Sequence, residues 1–283
     1  PIAISVNYIL PKWVSNETLV IALDYIGTNE HVLIPFREAA ERKAKLIAVT
    51  VGGDLAREAR RTRATHIALG YGSPARAAFF YIFACLAAIF KKLDLVDLRE
   101  STVTETAVLC RSLLENISLD VPQYQNSAKQ LAEKILGRKA VIVGSGPLGA
   151  IAKMWQITFA ATGKVMTLSS TLMEFNDTMV NGLVPVGKNS EPLILITLQS
   201  KYDYGRSKLQ QTLAYQVAQT KKIVFEQIFM HPSGSLFGEL TLAAALGVMI
   251  GYYLALLTNQ DPTLLEATSF IRERLAQENT ETP

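Results

Sequence analysis

Ala140-Val141-Ile142-Val143-Gly144-Ser145-Gly146-Pro147-Leu148-Gly149 is the stretch that decides the fold of this chain. Four apolar residues form a short buried strand, a glycine-rich turn follows, and the apolar pattern after Pro147 continues as a helix. A strand that passes through a tight glycine turn into a helix opens a βα unit, which predicts a parallel sheet. The turn is placed so that it faces a small polar ligand.

The same alternation of strand and helix patterns extends in both directions from this unit. The other predicted strands are short apolar runs at 19–23, 46–50, 66–69, 193–198 and 222–228. The predicted helices are 32–43, 54–63, 74–92, 127–136, 147–162, 207–220, 236–257 and 262–277. These patterns predict an α/β protein with two doubly wound, flavodoxin-like domains, each built on a parallel sheet. The polar segment 118–125 separates the two series, so we place the domains at residues 1–120 and 121–283.

The composition excludes several classes of protein. Hydrophobic residues make up 49% of the chain and charged residues 19%, which favours a folded protein over a disordered one. The net charge of +3 is spread along the chain, so no nucleic-acid surface is predicted. Cys85 and Cys110 provide neither a disulfide framework nor a metal site. Pro1–Ser5 lacks the pattern of a signal peptide, and we therefore predict a cytoplasmic protein.

One segment has the length of a membrane span. Residues 240–260 carry no charge, yet they include Gly247, Gly251, Thr258 and Asn259 and have no basic flank. We therefore predict a buried core helix and no membrane association.

The glycine turn allows three interpretations. Gly144-Ser145-Gly146-Pro147-Leu148-Gly149 fits the pattern G-x-G-x-x-G, which in dinucleotide-binding proteins holds a pyrophosphate at a helix N-terminus. The acidic residue expected about twenty positions later is missing, because the first carboxylate is Glu174. Another polar ligand and a purely structural turn are the remaining interpretations.

Two further turns follow predicted strands of the first domain. Gly52-Gly53-Asp54 and Gly70–Arg76 lie where open α/β sheets have their binding crevice. Arg76 is a candidate to bind a phosphate at the start of its helix, although a solvent-facing arginine explains the residue equally well.

Titratable residues suggest few catalytic arrangements. Glu174, Asn176 and Asp177 are clustered, and such carboxylates serve as proton-transfer groups or simply as exposed helix residues. His31, His66 and His231 are scattered without metal-ligand spacing, so we predict no metal site and no hydrolase.

In order along the chain, several segments resemble the bifunctional phosphoglucose/phosphomannose isomerases, relatives of the sugar isomerase (SIS) domain proteins. The segments in the first half are 8–14, 18–22, 52–55 and 72–78. Those in the second half are Gly144-Ser145, Trp155, Lys164, 174–176, 253–257 and 261–263. The resemblance implies two SIS-type domains, a homodimer with active sites at the interface, no cofactor, and aldose-ketose interconversion of hexose phosphates. It also implies ligand-binding roles for Gly27, Thr28, Gly52, Gly53, Arg76, Gly144, Ser145, Lys164 and Arg272.

At the positions that carry the activity, however, this chain departs from the family. The phosphate loop of the family falls on 24–29, where Asp24 would repel a phosphate. Its glycine-serine loop has no counterpart in the first domain. The catalytic glutamate corresponds to Ala161, the ring-opening histidine to Asp177, and a late lysine to Arg272.

These departures leave three hypotheses open. The first is an SIS protein that binds a sugar phosphate or a related carbohydrate derivative with weak or lost isomerase activity. The second is an active phosphohexose isomerase with a rearranged site that uses Asp177, Glu174 or His231. The third is a dinucleotide-binding protein that uses the Gly144 turn.

Overall fold

The computed structural model of the chain describes residues 1–70, 72, 75–184, 192–229 and 234–277. The chain forms two compact units, Pro1–Asp97 and Leu98–Pro283. This division lies before the boundary that we expected between residues 120 and 121. The reason is helix α4 (Glu100–Asn116), which packs on the longest helix of the second unit.

The first unit is a three-stranded parallel sheet with helices on both faces. Its elements are β1 (Leu19–Leu23), α1 (Glu30–Glu41), β2 (Lys45–Thr50), α2 (Gly53–Thr62), β3 (Thr65–Ala68) and α3 (Phe79–Lys92). The strand order is β1-β2-β3. Ala48 packs with Phe36 of α1 and Leu55 of α2 on one face, while Val49 packs with Ile89 of α3 on the other. Alternate residues of β2 thus serve two cores, as a doubly covered strand requires.

The second unit contains a four-stranded parallel sheet. After α4 its elements are α5 (Ser127–Ile135), β4 (Lys139–Gly144), α6 (Leu148–Ala161), β5 (Leu168–Thr171), α7 (Leu172–Asp177), β6 (Leu193–Gln199), α8 (Gly205–Thr220), β7 (Val224–Phe229), α9 (Leu236–Leu257) and α10 (Glu266–Gln277). The strand order is β5-β4-β6-β7. The chain therefore adds β5 on one side of β4 and then crosses to add β6 on the other side. The carboxyl ends of β4 and β6 form a topological switch point, where open α/β sheets bind their ligands.

The predicted α/β class with parallel sheets is confirmed, while helices α4 and α7 and strand β5 were not predicted. Helix α4 is rich in threonine and valine and lacks a clear apolar stripe, so its contact with α9 stabilises it more than its local pattern does. Strand β5 contains Ser169 and Ser170 and forms because it pairs with β4, in register at Val143↔Ser170.

Helix α9 is the core helix of the second unit. It has the length and apolarity of a membrane span, but 61% of its apolar window is buried inside the protein. It packs against α4, α5 and α6, as we predicted for a buried helix. The fully buried Trp155 of α6 meets it, and its indole N–H donates to Ala243 O at 2.8 Å.

A buried phenol joins α9 to the segment after α4. The Tyr253 hydroxyl donates to Ile117 O at 2.6 Å and accepts from Asn126 Nδ2 at 3.3 Å. Burial raises the pKa of Tyr253 above its ordinary value of 10.0. The protonated phenol therefore contributes stability that is complete below the unfolded-state pKa and is lost as the pH rises through the folded value.

We expect Tyr253→Phe to lower the free energy of unfolding by about 1–2 kcal/mol at pH 7, because it removes one hydrogen bond to a buried carbonyl. Urea unfolding from pH 7 to pH 11 checks this expectation. The difference between the two proteins should shrink above pH 10, and a difference that grows with pH would contradict the assignment.

Candidate binding site at the carboxyl edge of the second sheet

The turn after β4 has the shape that its glycines predict. A Cβ at Gly144 would lie 2.1 Å from Leu148 O, so only glycine lets the strand meet the first turn of α6. Gly146 has a φ of +48°, in the left-handed region. Between them, Ser145 is buried and its hydroxyl donates to the carboxylate of Asp203.

Asp203 connects the ends of β4 and β6. Its Oδ2 accepts from the backbone N–H of Ser200 at 3.1 Å and from Nε2 of Gln211 at 3.1 Å. Its Oδ1 accepts from Ser145. The carboxylate is half-buried and therefore keeps contact with solvent at the switch point.

A second carboxylate lies behind the end of β6. Glu239, in the first turn of α9, is 1% exposed and accepts from the hydroxyl of Ser200. The N–H of Lys201 lies 3.4 Å from its Oε1. Glu239 is the one charged residue in the 22 residues of α9, and a buried carboxylate persists only where such donors surround it.

A third pair of this kind ends β5. The hydroxyl of Ser170 donates to Glu174 Oε2 at 3.1 Å, and the N–H of Glu174 donates to the hydroxyl of Thr171 at 3.3 Å. Thr171 and Glu174 thus have the spacing of a capping box at the start of α7. Ser170 is buried, whereas Glu174 is exposed.

Each of three neighbouring strands therefore ends in a serine whose hydroxyl donates to a carboxylate. We call Ser170–Glu174, Ser145–Asp203 and Ser200–Glu239 the serine–carboxylate row. Because adjacent strands lie about 4.8 Å apart, the row extends over roughly 10 Å of the sheet edge.

Basic residues adjoin the row on the segment after β6 and in the first turn of α8. Lys201, Arg206 and Lys208 are exposed, and Lys208 Nζ donates to Lys201 O at 3.0 Å. The half-exposed Tyr202 lies among them, and its hydroxyl donates to Gly234 O at 2.9 Å. Positive charge and an aromatic ring thus lie beside the carboxylates.

Three glycines predicted to bind a ligand meet in the first unit. Gly27 has a φ of +82°, and a Cβ there would lie 2.1 Å from Gly52 O. A Cβ at Gly53 would lie 2.5 Å from Ile26 O. The backbones of the two loops thus touch, and this contact accounts for two of the glycines without a ligand. Thr28 is exposed beside them.

Asp24 already supplies an anion to this loop. Its carboxylate is 5% exposed and accepts from Asn29 N at 2.8 Å and from Asn29 Nδ2 at 2.6 Å. Asn29 is the N-cap of α1, so an internal carboxylate lies where helix N-termini receive anions. The repulsion of phosphate that the sequence suggested for Asp24 therefore has a structural basis.

Lys164 lies away from the row. Its ammonium donates to Ala161 O at 2.8 Å and to Leu264 O, so it caps α6 and holds the segment before α10. The 14 residues of α6 separate it from Ser145 by about 20 Å. Arg272 is exposed on α10. The second unit thus does not bring Lys164 together with Ser145.

The remaining predicted residues have varied surroundings. Asp177 is exposed at the end of α7, and within the described ranges it makes no hydrogen bond or ion pair. Arg76 is half-buried in a short 3-10 helix, Ala75–Ala78. His231 lies outside the described residues.

Metal and thiol chemistry have little support in the part of the chain that the structure describes. It contains no group of three or more metal-ligating side chains. Burial raises the pKa of the Cys85 and Cys110 thiols, which disfavours reactive thiolates.

Sequence reasoning missed Ser170, Ser200, Asp203 and Glu239. Ser200 and Asp203 directly follow a predicted strand, and that position is a usable signal. Glu239 has another signal, since a lone carboxylate in an apolar helix needs a buried partner.

The fold and this edge define an open α/β protein whose parallel sheet carries polar side chains at its topological switch point. Residues 124–275, more than half of the chain, match the family described as bacterial phospho-glucose isomerase C-terminal SIS domain, and the chain belongs to that family.

One relative is similar to this chain in sequence, and two solved structures are similar to it in fold. A bifunctional phosphoglucose/phosphomannose isomerase of Caldicellulosiruptor bescii is 28% identical over 98% of this chain and 82% of its own length. A glucose-6-phosphate isomerase like protein from Thermus thermophilus has a TM-score of 0.61 at 20% identity, covering 93% of this chain and 80% of that one. Tagatose-6-phosphate ketose/aldose isomerase from Escherichia coli has a TM-score of 0.67 at 13% identity, over 89% and 73% of the two chains.

Proposed function

We propose that this chain binds a hexose phosphate or a related carbohydrate derivative at the serine–carboxylate row, and that its aldose-ketose isomerase activity is weak or lost. The observation that carries the proposal is the row itself, where three neighbouring strands end in a buried serine and its carboxylate. The names of the relatives, which act on phosphoglucose and phosphomannose, support the ligand class.

The row suits the hydroxyl groups of a sugar. A carboxylate is a strong acceptor for hydroxyl donors, and a serine hydroxyl both donates and accepts. Asp203 and Glu174 retain solvent contact, so a ligand reaches them first, while Glu239 holds Ser200 in place from behind. The Lys201 ammonium lies over one face of the Tyr202 ring, 5.1 Å from its centroid, and the half-exposed ring is a candidate to pack against the apolar side of a sugar.

The phosphate group has its own candidates beside the row. Lys201, Arg206 and Lys208 carry three positive charges within eight residues, next to the carboxylates of the row. A dianionic phosphate gains where it lies nearer to these cations than to the carboxylates. The first unit offers less, because Asp24 already occupies the N-terminus of α1.

Weak isomerase activity follows from the residue at the position that the family resemblance gives to the catalytic base. Ala161 has no proton-accepting group where the family resemblance implies the catalytic glutamate. Removal of a general base typically costs about 10²- to 10⁴-fold in rate. The Glu174 carboxylate accepts from the Ser170 hydroxyl, and Asp177 is exposed without a described partner that would orient it.

The proposal also covers the oligomeric state, the cellular compartment and the need for a cofactor. We infer a homodimer in the cytoplasm that works without a cofactor, as the family resemblance implies. The burial of α9 supports a protein that does not span the membrane.

The ligand is tested by thermal unfolding with glucose 6-phosphate, mannose 6-phosphate and fructose 6-phosphate. A ligand at a hundred times its Kd should stabilise the protein by about 2.7 kcal/mol. We expect this shift with at least one hexose phosphate, a smaller one with inorganic phosphate, and none with NAD or NADP. A shift with NAD alone would contradict the proposal and favour the dinucleotide hypothesis.

Activity is tested separately with a coupled assay on fructose 6-phosphate. We expect turnover near background. Rapid turnover that disappears in Asp177→Ala would establish the second hypothesis, an isomerase with a rearranged site.

A further inference from the structure

The two carboxylates of the serine–carboxylate row that keep contact with solvent, Glu174 and Asp203, lie on the same face of the second sheet. Glu174 belongs to α7, and Asp203 accepts from Gln211 of α8. Both helices pack on the face that includes Val141 and Leu195, and they contact each other. The serines that bind the two carboxylates end adjacent strands, β5 and β4, which lie about 4.8 Å apart. The two negative charges are therefore neighbours.

Neither of these carboxylates has a cation as its partner in the part of the chain that the structure describes. All of their donors are neutral groups, and the ion pairs of the described residues lie elsewhere. The donors are the hydroxyls of Ser170 and Ser145, the N–H of Ser200 and the side-chain amide of Gln211. A carboxylate has about four acceptor positions, so Glu174, which uses one of them for Ser170, keeps most of its capacity. Two such charges side by side favour a ligand that brings a positive charge.

A buried hydroxyl on the same face also lacks a partner. Thr197, on β6, is 1% exposed, and its hydroxyl makes no hydrogen bond within the described ranges. Val143 of β4 is in register with Ser170 on one side and with Thr197 on the other, so these three side chains share one face of the sheet. Buried hydroxyls are mostly hydrogen-bonded, and an unpaired one needs an explanation. Thr197 therefore indicates, independently of the carboxylates, that this face accommodates a polar ligand.

We propose that the row selects an amino sugar phosphate, which is a hexose phosphate with a free amino group, over the parent hexose phosphate. The inference rests on the proposed function and names the ligand class of the same site. An ammonium group has three donors and one positive charge, whereas the hydroxyl that it replaces has one donor and no charge. Between Glu174 and Asp203, the ammonium pairs with both carboxylates and offsets the repulsion between them.

The phosphate of such a ligand pairs with the basic residues beside the row, Lys201, Arg206 and Lys208. Ligand and site then match in both signs of charge. A hexose phosphate without the amino group satisfies the basic residues but leaves the two carboxylates without a counter-charge. Charge complementarity of this kind contributes mainly to the choice between related ligands.

Isothermal titration calorimetry at neutral pH and low ionic strength tests the proposal with glucosamine 6-phosphate and glucose 6-phosphate. We expect the Kd of glucosamine 6-phosphate to be about tenfold lower, because charge-assisted hydrogen bonds replace neutral ones. N-acetylglucosamine 6-phosphate has a nitrogen at the same position but no positive charge, and it should bind no more tightly than glucose 6-phosphate.

Glu174→Gln tests the source of this preference. The variant keeps the size of the side chain and an acceptor for Ser170 but removes one of the two charges. The ratio of the two Kd values should therefore fall towards one. Glu115→Gln neutralises an exposed carboxylate of α4 outside the row and should keep the ratio of about ten. The Tm without ligand shows whether each variant is folded.

The outcomes separate this inference from the proposed function. Equal affinity of the wild-type protein for the two sugar phosphates would overturn the inference and leave the proposed function in place. A preference that persists in full in Glu174→Gln would also overturn it, because the preference would then arise outside the row. Binding of neither sugar phosphate would overturn both.

Discussion

Gly247→Ala is expected to lower the free energy of unfolding by about 2–3 kcal/mol, at the upper end of the range for overpacking a core. A Cβ at this position would lie 2.2 Å from Nε1 and 2.3 Å from Cδ1 of Trp155. The indole is fully buried and holds Ala243 O by a hydrogen bond, so it has no free space into which to move. The added methyl group therefore forces α6 and α9 apart or breaks the hydrogen bond from the indole of Trp155 to Ala243 O.

Thermal and urea unfolding measure this effect. For a chain of this size we expect the Tm to fall by roughly 5–10 °C. Gly182→Ala is the matched control, because a Cβ there has no atom within 4 Å and its φ is not in the left-handed region. Equal stability of the two variants would mean that α6 and α9 do not pack as closely as we describe.

Asp203→Asn is expected to weaken the binding of a hexose phosphate by about 10- to 100-fold. Hydrogen bonds to a charged group contribute about 1.5–3 kcal/mol, and each 1.4 kcal/mol is a factor of ten in Kd. The substitution keeps the size of the side chain but removes the charge that links Ser145, Ser200 and Gln211. Isothermal titration calorimetry gives the Kd, and the Tm without ligand reports any loss of stability separately.

Two further variants define where the ligand lies. Asp120→Asn changes an exposed carboxylate of the same unit outside the row and should leave the Kd unchanged. Asp177→Asn should also have little effect on binding. A loss of affinity in Asp177→Asn with none in Asp203→Asn would move the ligand away from the serine–carboxylate row.

The elements that the sequence predicted are those with strong local patterns. Strand β4 and helix α9 are strongly apolar, and their predicted bounds differ from the structure by one residue or not at all. Strand β5 was missed because Ser169 and Ser170 have no strand pattern and depend on pairing with β4. Helix α4 was missed because it has no clear apolar stripe and depends on packing against α9.

The candidate site was predictable only in part, because its members converge through tertiary structure. Gly144 and Ser145 carry a local signal, the turn between strand and helix. Glu239 is nearly forty residues after its partner Ser200, and no local pattern relates them. Lys164 illustrates the opposite case, since its position in the family resemblance suggested a ligand while its ammonium binds two carbonyls of its own chain.

The burial of α9 also determines how this protein can be divided. Its apolar surface is covered from three sides, and one of those sides is α4, which lies before residue 120. A fragment that starts at residue 121 would keep the whole sheet of the second unit but uncover a flank of its most apolar helix. Such a fragment would self-associate or bind chaperones. A fragment that starts at Leu98 keeps α4, which covers this flank of α9.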